Sequence, residues 1–171
     1  MNKKNVVILG GGNGTGLNVR GLKMYESLNL AAIVSTSDSG RSSAKIREEY
    51  HQLPSADILR VLISASDYDY YVLRKLLYKK RFSSPDQLEY LNMGTALITL
   101  ASNHIDSFIE VIKNLEHIFE CKARVMPMTL EMTDLHAELS NGVILHGEGN
   151  IDEPEEKIPE LYYSNTDTPN E

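Results

Sequence analysis

Five of the seven residues in Gly10-Gly11-Gly12-Asn13-Gly14-Thr15-Gly16 are glycine, and the run follows directly on the apolar stretch Val6-Val7-Ile8-Leu9. A strand that passes through such a turn into a helix leaves backbone N–H groups pointing outward at the positive end of the helix dipole. The missing Cβ atoms let an anion come close to them. That chemistry suits a phosphate held by Gly11, Gly12, Asn13, Gly14 and Thr15. A tight turn without a ligand is the competing reading. Two familiar motifs are excluded by spacing. A Gly-x-Gly-x-x-Gly register meets Thr15 when begun at Gly10 and Leu17 when begun at Gly12, and no Gly-Lys-Ser or Gly-Lys-Thr follows.

A second polar stretch, Ser37-Asp38-Ser39-Gly40-Arg41-Ser42-Ser43, follows the next apolar run. Asp38 can accept from ribose hydroxyls or hold a divalent metal between phosphates. Arg41 can clamp a phosphate through two parallel hydrogen bonds, and Ser37, Ser39 and Ser42 add polar contacts. The plainer alternative is a helix start capped by Asp38 or Ser42. Two such loops on one edge of a sheet would converge on one crevice.

The elements that must position these loops are readable from apolar periodicity. Val6 to Leu9 reads as a strand buried on both faces of a parallel sheet. Leu17, Leu22, Tyr25 and Leu28 fall near one helical stripe, and Ala31 to Thr36 reads as a second strand, completing a βαβ unit. Helices are predicted over Ala44 to Tyr50, from a cap at Ser55, over Tyr70 to Lys79 with Leu73, Leu76 and Leu77 inward, from Ser83–Asp86 through Leu100, and over Asp106 to Phe119. Strands return at Arg124 to Met128. Asn141-Gly142 then joins Leu135–Leu139 to Val143–His146 as a hairpin, and a last strand runs from Ile158 to Tyr163. The Tyr68 to Tyr71 cluster could stack a base, but a helix start with tyrosine packing is the favoured reading, and Met126, Met128 and Met132 read as core fillers.

Composition bounds the class. The chain has 171 residues, 42% hydrophobic and 24% charged, with a formal net charge of −7. The acidic balance argues against a general nucleic-acid binder, whose affinity comes from clustered Lys and Arg. It leaves room for a small anionic ligand. A single cysteine, Cys121, permits no intramolecular disulfide and fits a reducing compartment. No stretch approaches the ~18 apolar residues of a membrane span, so the expectation is a cytoplasmic protein without membrane contact. The five histidines show no close metal-ligand spacing.

The ordered motifs resemble the 2-phospho-L-lactate transferase family, and within it the YvcK-like branch of gluconeogenesis-factor proteins. The resemblance runs from about Val6 to Tyr163. It rests on Gly10–Gly14 (GGGNG), Arg20–Lys23 (RGLK), Ser37–Arg47 (SDSGRSSAKIR) and Leu53–Arg60 (LPSADILR), then on Tyr90–Ala96 (YLNMGTA) and the series Pro127–Glu131, Ala137–Gly142 and Gly147–Ile151. It looks like the family's N-terminal half. The resemblance implies an α/β, Rossmann-like, mostly parallel sheet with a helical insertion and a β-hairpin near the C-terminus, as one domain over 1–163 followed by a polar tail over 164–171. It further implies a phosphorylated ligand on Gly11, Gly12, Asn13 and Gly14, with Asp38, Asp57 and Asn150 as polar contacts. Asp38 and Asp57 are its candidate magnesium ligands, and no redox cofactor is expected.

Two functions follow from that resemblance. One is a regulator that binds a nucleotide sugar and is linked to gluconeogenic growth and to cell-wall and cell-shape control. The other is a magnesium-dependent transferase moving a phospholactyl-type group from a guanosine diphosphate carrier to a deazaflavin. The family's second acid is Ser39 here and an amide position is Thr95; both changes remove candidate ligands and favour the regulator. Half a family chain would present an open sheet edge, which a second copy could complete as a homo-oligomer.

Overall fold

The computed structural model describes residues 3–83, 89–151 and 160–165. Strand β1 (Lys4–Gly10) leads into helix α1 (Gly12–Leu22), and β2 (Leu28–Val34) into α2 (Arg41–Tyr50) and α3 (Ala56–Ala65). A short helix α4 (Tyr70–Leu73) continues as a π-helical turn over Arg74–Tyr78, before α5 (Met93–Ile105), α6 (Phe108–Ile118) and β3 (Ala123–Pro127). The chain then forms β4 (Thr133–Glu138), β5 (Ile144–His146), the single turn α7 (Glu148–Ile151) and β6 (Glu160–Asn165).

Strands β1, β2 and β3 make a parallel sheet with β2 in the middle, Val7 lying opposite Ala31 and Leu9 opposite Ile33. A second, antiparallel sheet has β4 between β5 and β6. The α/β class, the parallel strands and the Asn141-Gly142 hairpin are as the sequence implies. Strand β6 runs two residues past the expected end of the domain, to Asn165, and pairs with β4. The tail over 166–171 lies outside the described residues.

The core explains the helix order. Helix α3 is apolar on nearly all sides, and Ile58, Leu59, Val61, Leu62 and Ile63 are fully buried, as suits a helix covered all round. It packs against α1 and the sheet, where Val6, Ile8, Leu30, Ala32 and Val125 face it. At ~1.5–3 kcal/mol for each large apolar side chain buried, this helix holds the sheet's covered face together.

Several sequence expectations shift. Strand β1 is not buried on both faces: Val7 is 53% and Leu9 72% exposed, because the core packs on the face that Val6 and Ile8 present and leaves the opposite face open. Helix α1 starts inside the glycine run and buries Gly12, Thr15, Gly16 and Val19, leaving Leu17 and Tyr25 exposed. The reason is close approach, since a Cβ on Gly16 would stand 2.7 Å from Ser64 Oγ of α3. Leu77 is buried and Leu76 exposed, since the π-helical turn, closed by Lys79 N–H donating to Arg74 O, alters the expected facing. Helix α5 begins at Met93, not near Pro85, because Asn92 and Thr95 form a buried capping box. Residues 84–88 lie outside the described residues. Met128 is exposed, so it fills no core gap.

Candidate ligand-binding site

The carboxyl ends of β1 and β2 are tied together by Ser35 N–H donating to Gly10 O, 2.9 Å. That bond brings the glycine turn and the Ser37–Ser43 loop to one edge of the sheet. At the turn, Gly11 caps α1 with no side-chain hydrogen bond. The first N–H groups of a helix have no partner within it. One of them, on Gly12, donates to the carboxylate of Asp57, which reaches across from the first turn of α3. Asn13 and Gly14 are exposed, and nothing stands within 4 Å of where a Gly14 Cβ would be. Their N–H groups fall at positions that have no partner within the helix. Thr15 faces the other way, its side chain buried beside Gly10.

Asp57 and Arg60 are the only charged residues on the apolar helix α3, and the i, i+3 spacing puts them on one stripe. Arg60 Nη1 donates to Asp57 Oδ1 at 2.8 Å, its Nε donates to Tyr78 Oη, and its guanidinium lies 5.0 Å from the Tyr78 ring centre. Burial pushes the Asp57 carboxyl above the ordinary range, with Asp38 adding to the shift, while Arg60 and the Gly12 N–H oppose it. Beside this pair opens a cleft of about 260 Å³ between α1, α3 and the α4 segment. Asn13, Arg20, Arg60, Tyr70, Arg74 and Tyr78 supply its polar and aromatic lining.

The second loop is more inward than its polarity implies. Ser37 and Ser42 are buried, and Ser37 Oγ lies 2.9 Å from Ser35 Oγ. Asp38 accepts from Gly40 N–H at 2.8 Å and from Ser43 Oγ at 2.7 Å, which stabilises the loop before α2. The side chain of Arg41 lies outside the described residues. Ser39 sits against Gly147, where a Cβ would come within 3.1 Å of its Oγ. Ser39 and Asn150 therefore line a separate cleft of about 300 Å³, with Arg47, Asp134 and His146. The structure thus gathers Gly12 and Asn13 at one cleft and Ser39 and Asn150 at another, with Asp38 and Asp57 close enough to feel each other's charge.

Asp38 and Asp57 are the donors a cation would find here. Among the described residues no three His, Cys, Asp or Glu side chains group as a metal cage. Two carboxylates without a third fit magnesium, which keeps several waters and takes its remaining ligands from phosphates. The residues present are compatible with that mode of binding.

A family model described as 2-phospho-L-lactate transferase CofD matches residues 6–171. The chain belongs to the CofD family. It is 36% identical over 149 residues to a protein named gluconeogenesis factor from Listeria innocua, covering 87% of this chain and 45% of that one. A protein of the same name from Halalkalibacterium halodurans is 30% identical, with 98% and 51% covered. A crystal structure of a Bacillus halodurans protein superimposes with a TM-score of 0.86 at 29% identity, covering 96% of this chain and 52% of that one. The chain spans about half the length of the relatives it matches, as the resemblance to an N-terminal half implies. No helix among the described residues is long and apolar enough to cross a membrane.

Within the CofD pattern, Thr95 acquires a structural reading. Its Oγ1 and N–H both engage Asn92, so the family's amide position serves as a helix cap here. Sequence reasoning gave no site role to Arg60, Arg20, Arg74 or Tyr78 and read Tyr70 as part of a helix start. For Arg60 a signal existed: with Asp57 it interrupts an otherwise apolar helix. Arg20 stood in the RGLK motif, and for Arg74 and Tyr78 there was no signal, because the cleft assembles these residues from elements far apart in sequence.

Proposed function

We propose that this CofD-family chain binds a uridine nucleotide sugar at the edge formed by the glycine turn and the Ser37–Ser43 loop. The observation that carries the reading is the exposed start of α1 at Asn13 and Gly14, whose N–H groups have no partner within the helix, with Asn13 lining an arginine-bearing cleft. A helix start of this kind attracts phosphate by dipole and hydrogen bond together. The relatives' name supports a regulatory role in gluconeogenic growth, and control of the cell wall and cell shape is part of the same proposal. The action is cytoplasmic, in keeping with a lone cysteine.

In this reading the diphosphate rests on the Asn13 and Gly14 N–H groups with Gly11 beside them, and Asp57 fixes the turn through Gly12. Ser37, Ser39, Arg41, Ser42 and Asn150 supply polar contacts to the rest of the ligand. Magnesium, held by Asp38 and Asp57, would neutralise phosphate charge. Titration calorimetry with a uridine nucleotide sugar, and with guanosine diphosphate, each with and without magnesium, tests the proposal. Uridine binding supports it. Tight magnesium-dependent guanosine binding with no uridine binding refutes it in favour of a phospholactyl-type transferase, the reading that the neighbouring Asp38 and Asp57 carboxylates favour. The whole protein's activity and any completion by a second copy belong to the proposal as well.

A further inference from the structure

Helix α5 contains no Asp, Glu, Lys or Arg, on a chain whose residues are 24% charged. Its buried side includes Gly94, Ile98, Thr99 and Ser102, and the helix stands on α6, α3, α2 and the π-helical turn. Gly94 fixes its rotation, since a Cβ there would stand 2.5 Å from Leu59 Cδ2 of α3. The opposite side carries Met93, Leu97 and Leu100, each nearly half exposed, with exposed His104 next in line. Steps of four, three and four residues put these side chains on one stripe, the seam along which two helices interlock. A surface helix ordinarily shows water a charged face. Here the outward face is an uncovered apolar seam.

We infer that this seam is the contact between two copies of the chain, paired antiparallel about a two-fold axis that passes between Leu97 and Leu100. The spacing is self-complementary. Reversing the stripe sets Leu97 against Leu100 of the second copy, and Met93 against His104 of the second copy. A two-fold contact brings a patch against itself, so on a chain of net charge −7 an acidic face would oppose acid to acid. The uncharged seam opposes none. Its ends differ in sign: Arg81, exposed and donating to Tyr90 O, stands at the start of α5, and exposed Asp106 caps the other end. Antiparallel pairing brings each Arg81 toward Asp106 of the second copy. The seam is only ~20 Å long, which makes a small interface and a concentration-dependent dimer.

Sedimentation equilibrium of the full chain tests the inference without any ligand, so its outcome is independent of the nucleotide-sugar reading. The mean mass is expected to climb from 19.2 kDa toward double as concentration rises. Leu97→Glu and Leu100→Glu, which put carboxylates into the seam of both copies, are each expected to weaken association about tenfold or more. Ile118→Glu, at an exposed apolar position on α6 outside the seam, leaves it unchanged. Register is read by mild oxidation. Leu97→Cys mixed with Leu100→Cys should link between copies several-fold faster than Leu97→Cys alone, because disulfide geometry demands facing positions. Melting curves of each variant separate lost association from a lost fold, and the parent chain needs no variant. A monomer at every concentration, a dimer that survives both seam glutamates or is lost in Ile118→Glu, or equal linking rates overturns the inference.

Discussion

Two glycines of the same turn respond to alanine with opposite signs. Gly12 is buried, and an added Cβ would stand 2.4 Å from Asp57 Oδ1 and 2.8 Å from Arg60 Cδ. Alanine gains up to ~1 kcal/mol over glycine in a helix. Overpacking against a partly buried ion pair costs ~1–3 kcal/mol, so Gly12→Ala loses about 1–2 kcal/mol in net terms. Gly14 lies in the same helical turn with nothing within 4 Å of the new Cβ. Gly14→Ala therefore gains ~0.4–1 kcal/mol, mainly by restricting the unfolded chain. The same methyl group stands where the phosphate is proposed to sit, so affinity for a nucleotide sugar falls about tenfold or more as stability rises. Urea denaturation with unchanged m-values measures the first quantity and calorimetry the second. A destabilised Gly14→Ala, a Gly12→Ala as stable as the parent, or full ligand affinity in Gly14→Ala refutes the reasoning.

The Cys121 thiol is pushed up to about 12 by burial, with Glu116 adding, and its Sγ donates to Leu62 O at 3.5 Å. Between about pH 9 and 12 the folded chain keeps this proton while the unfolded chain loses it. Stability therefore falls as pH rises through that window, by up to ~1.4 kcal/mol per pH unit; denaturation of Cys121→Ala across the same range should show a flatter slope. At neutral pH the native thiol reacts slowly with an aromatic disulfide reagent and quickly once denaturant is added. Asn92→Ala removes the buried cap of α5 and costs ~1–2 kcal/mol in denaturant titration, whereas Asn13→Ala, on the exposed start of α1, changes stability by less than ~0.5 kcal/mol.

Local pattern was enough to read α6, whose apolar residues keep a 3.6-residue period from Phe108, and the hairpin, where Asn141-Gly142 dictates the turn. It was enough for the βαβ opening as well. It failed where facing depends on neighbours distant in sequence. Val7 and Leu9 carry the composition of a doubly buried strand, and only the packing of the core on the opposite face of the sheet leaves them exposed. The start of α5 was hidden because Pro85 announces a helix more loudly than the buried Asn92–Thr95 reciprocity does. At the site, the glycine turn between β1 and α1 was legible from glycine density alone. The carboxylate that reaches it from α3, and the arginine cleft, were not, since both arise from packing between helices.

Asp57 already lies against the start of α1, so a phosphate bound as proposed would meet a resident negative charge. That repulsion is relieved either by protonating the carboxyl, which burial already favours, or by sharing a divalent cation with Asp38. The two routes leave different thermochemical marks. Proton uptake makes the heat of association vary with the ionisation enthalpy of the buffer, and cation sharing removes that variation. A side chain of the protein itself thus answers part of this helix start's positive end, and any anion added there binds within that carboxylate's field.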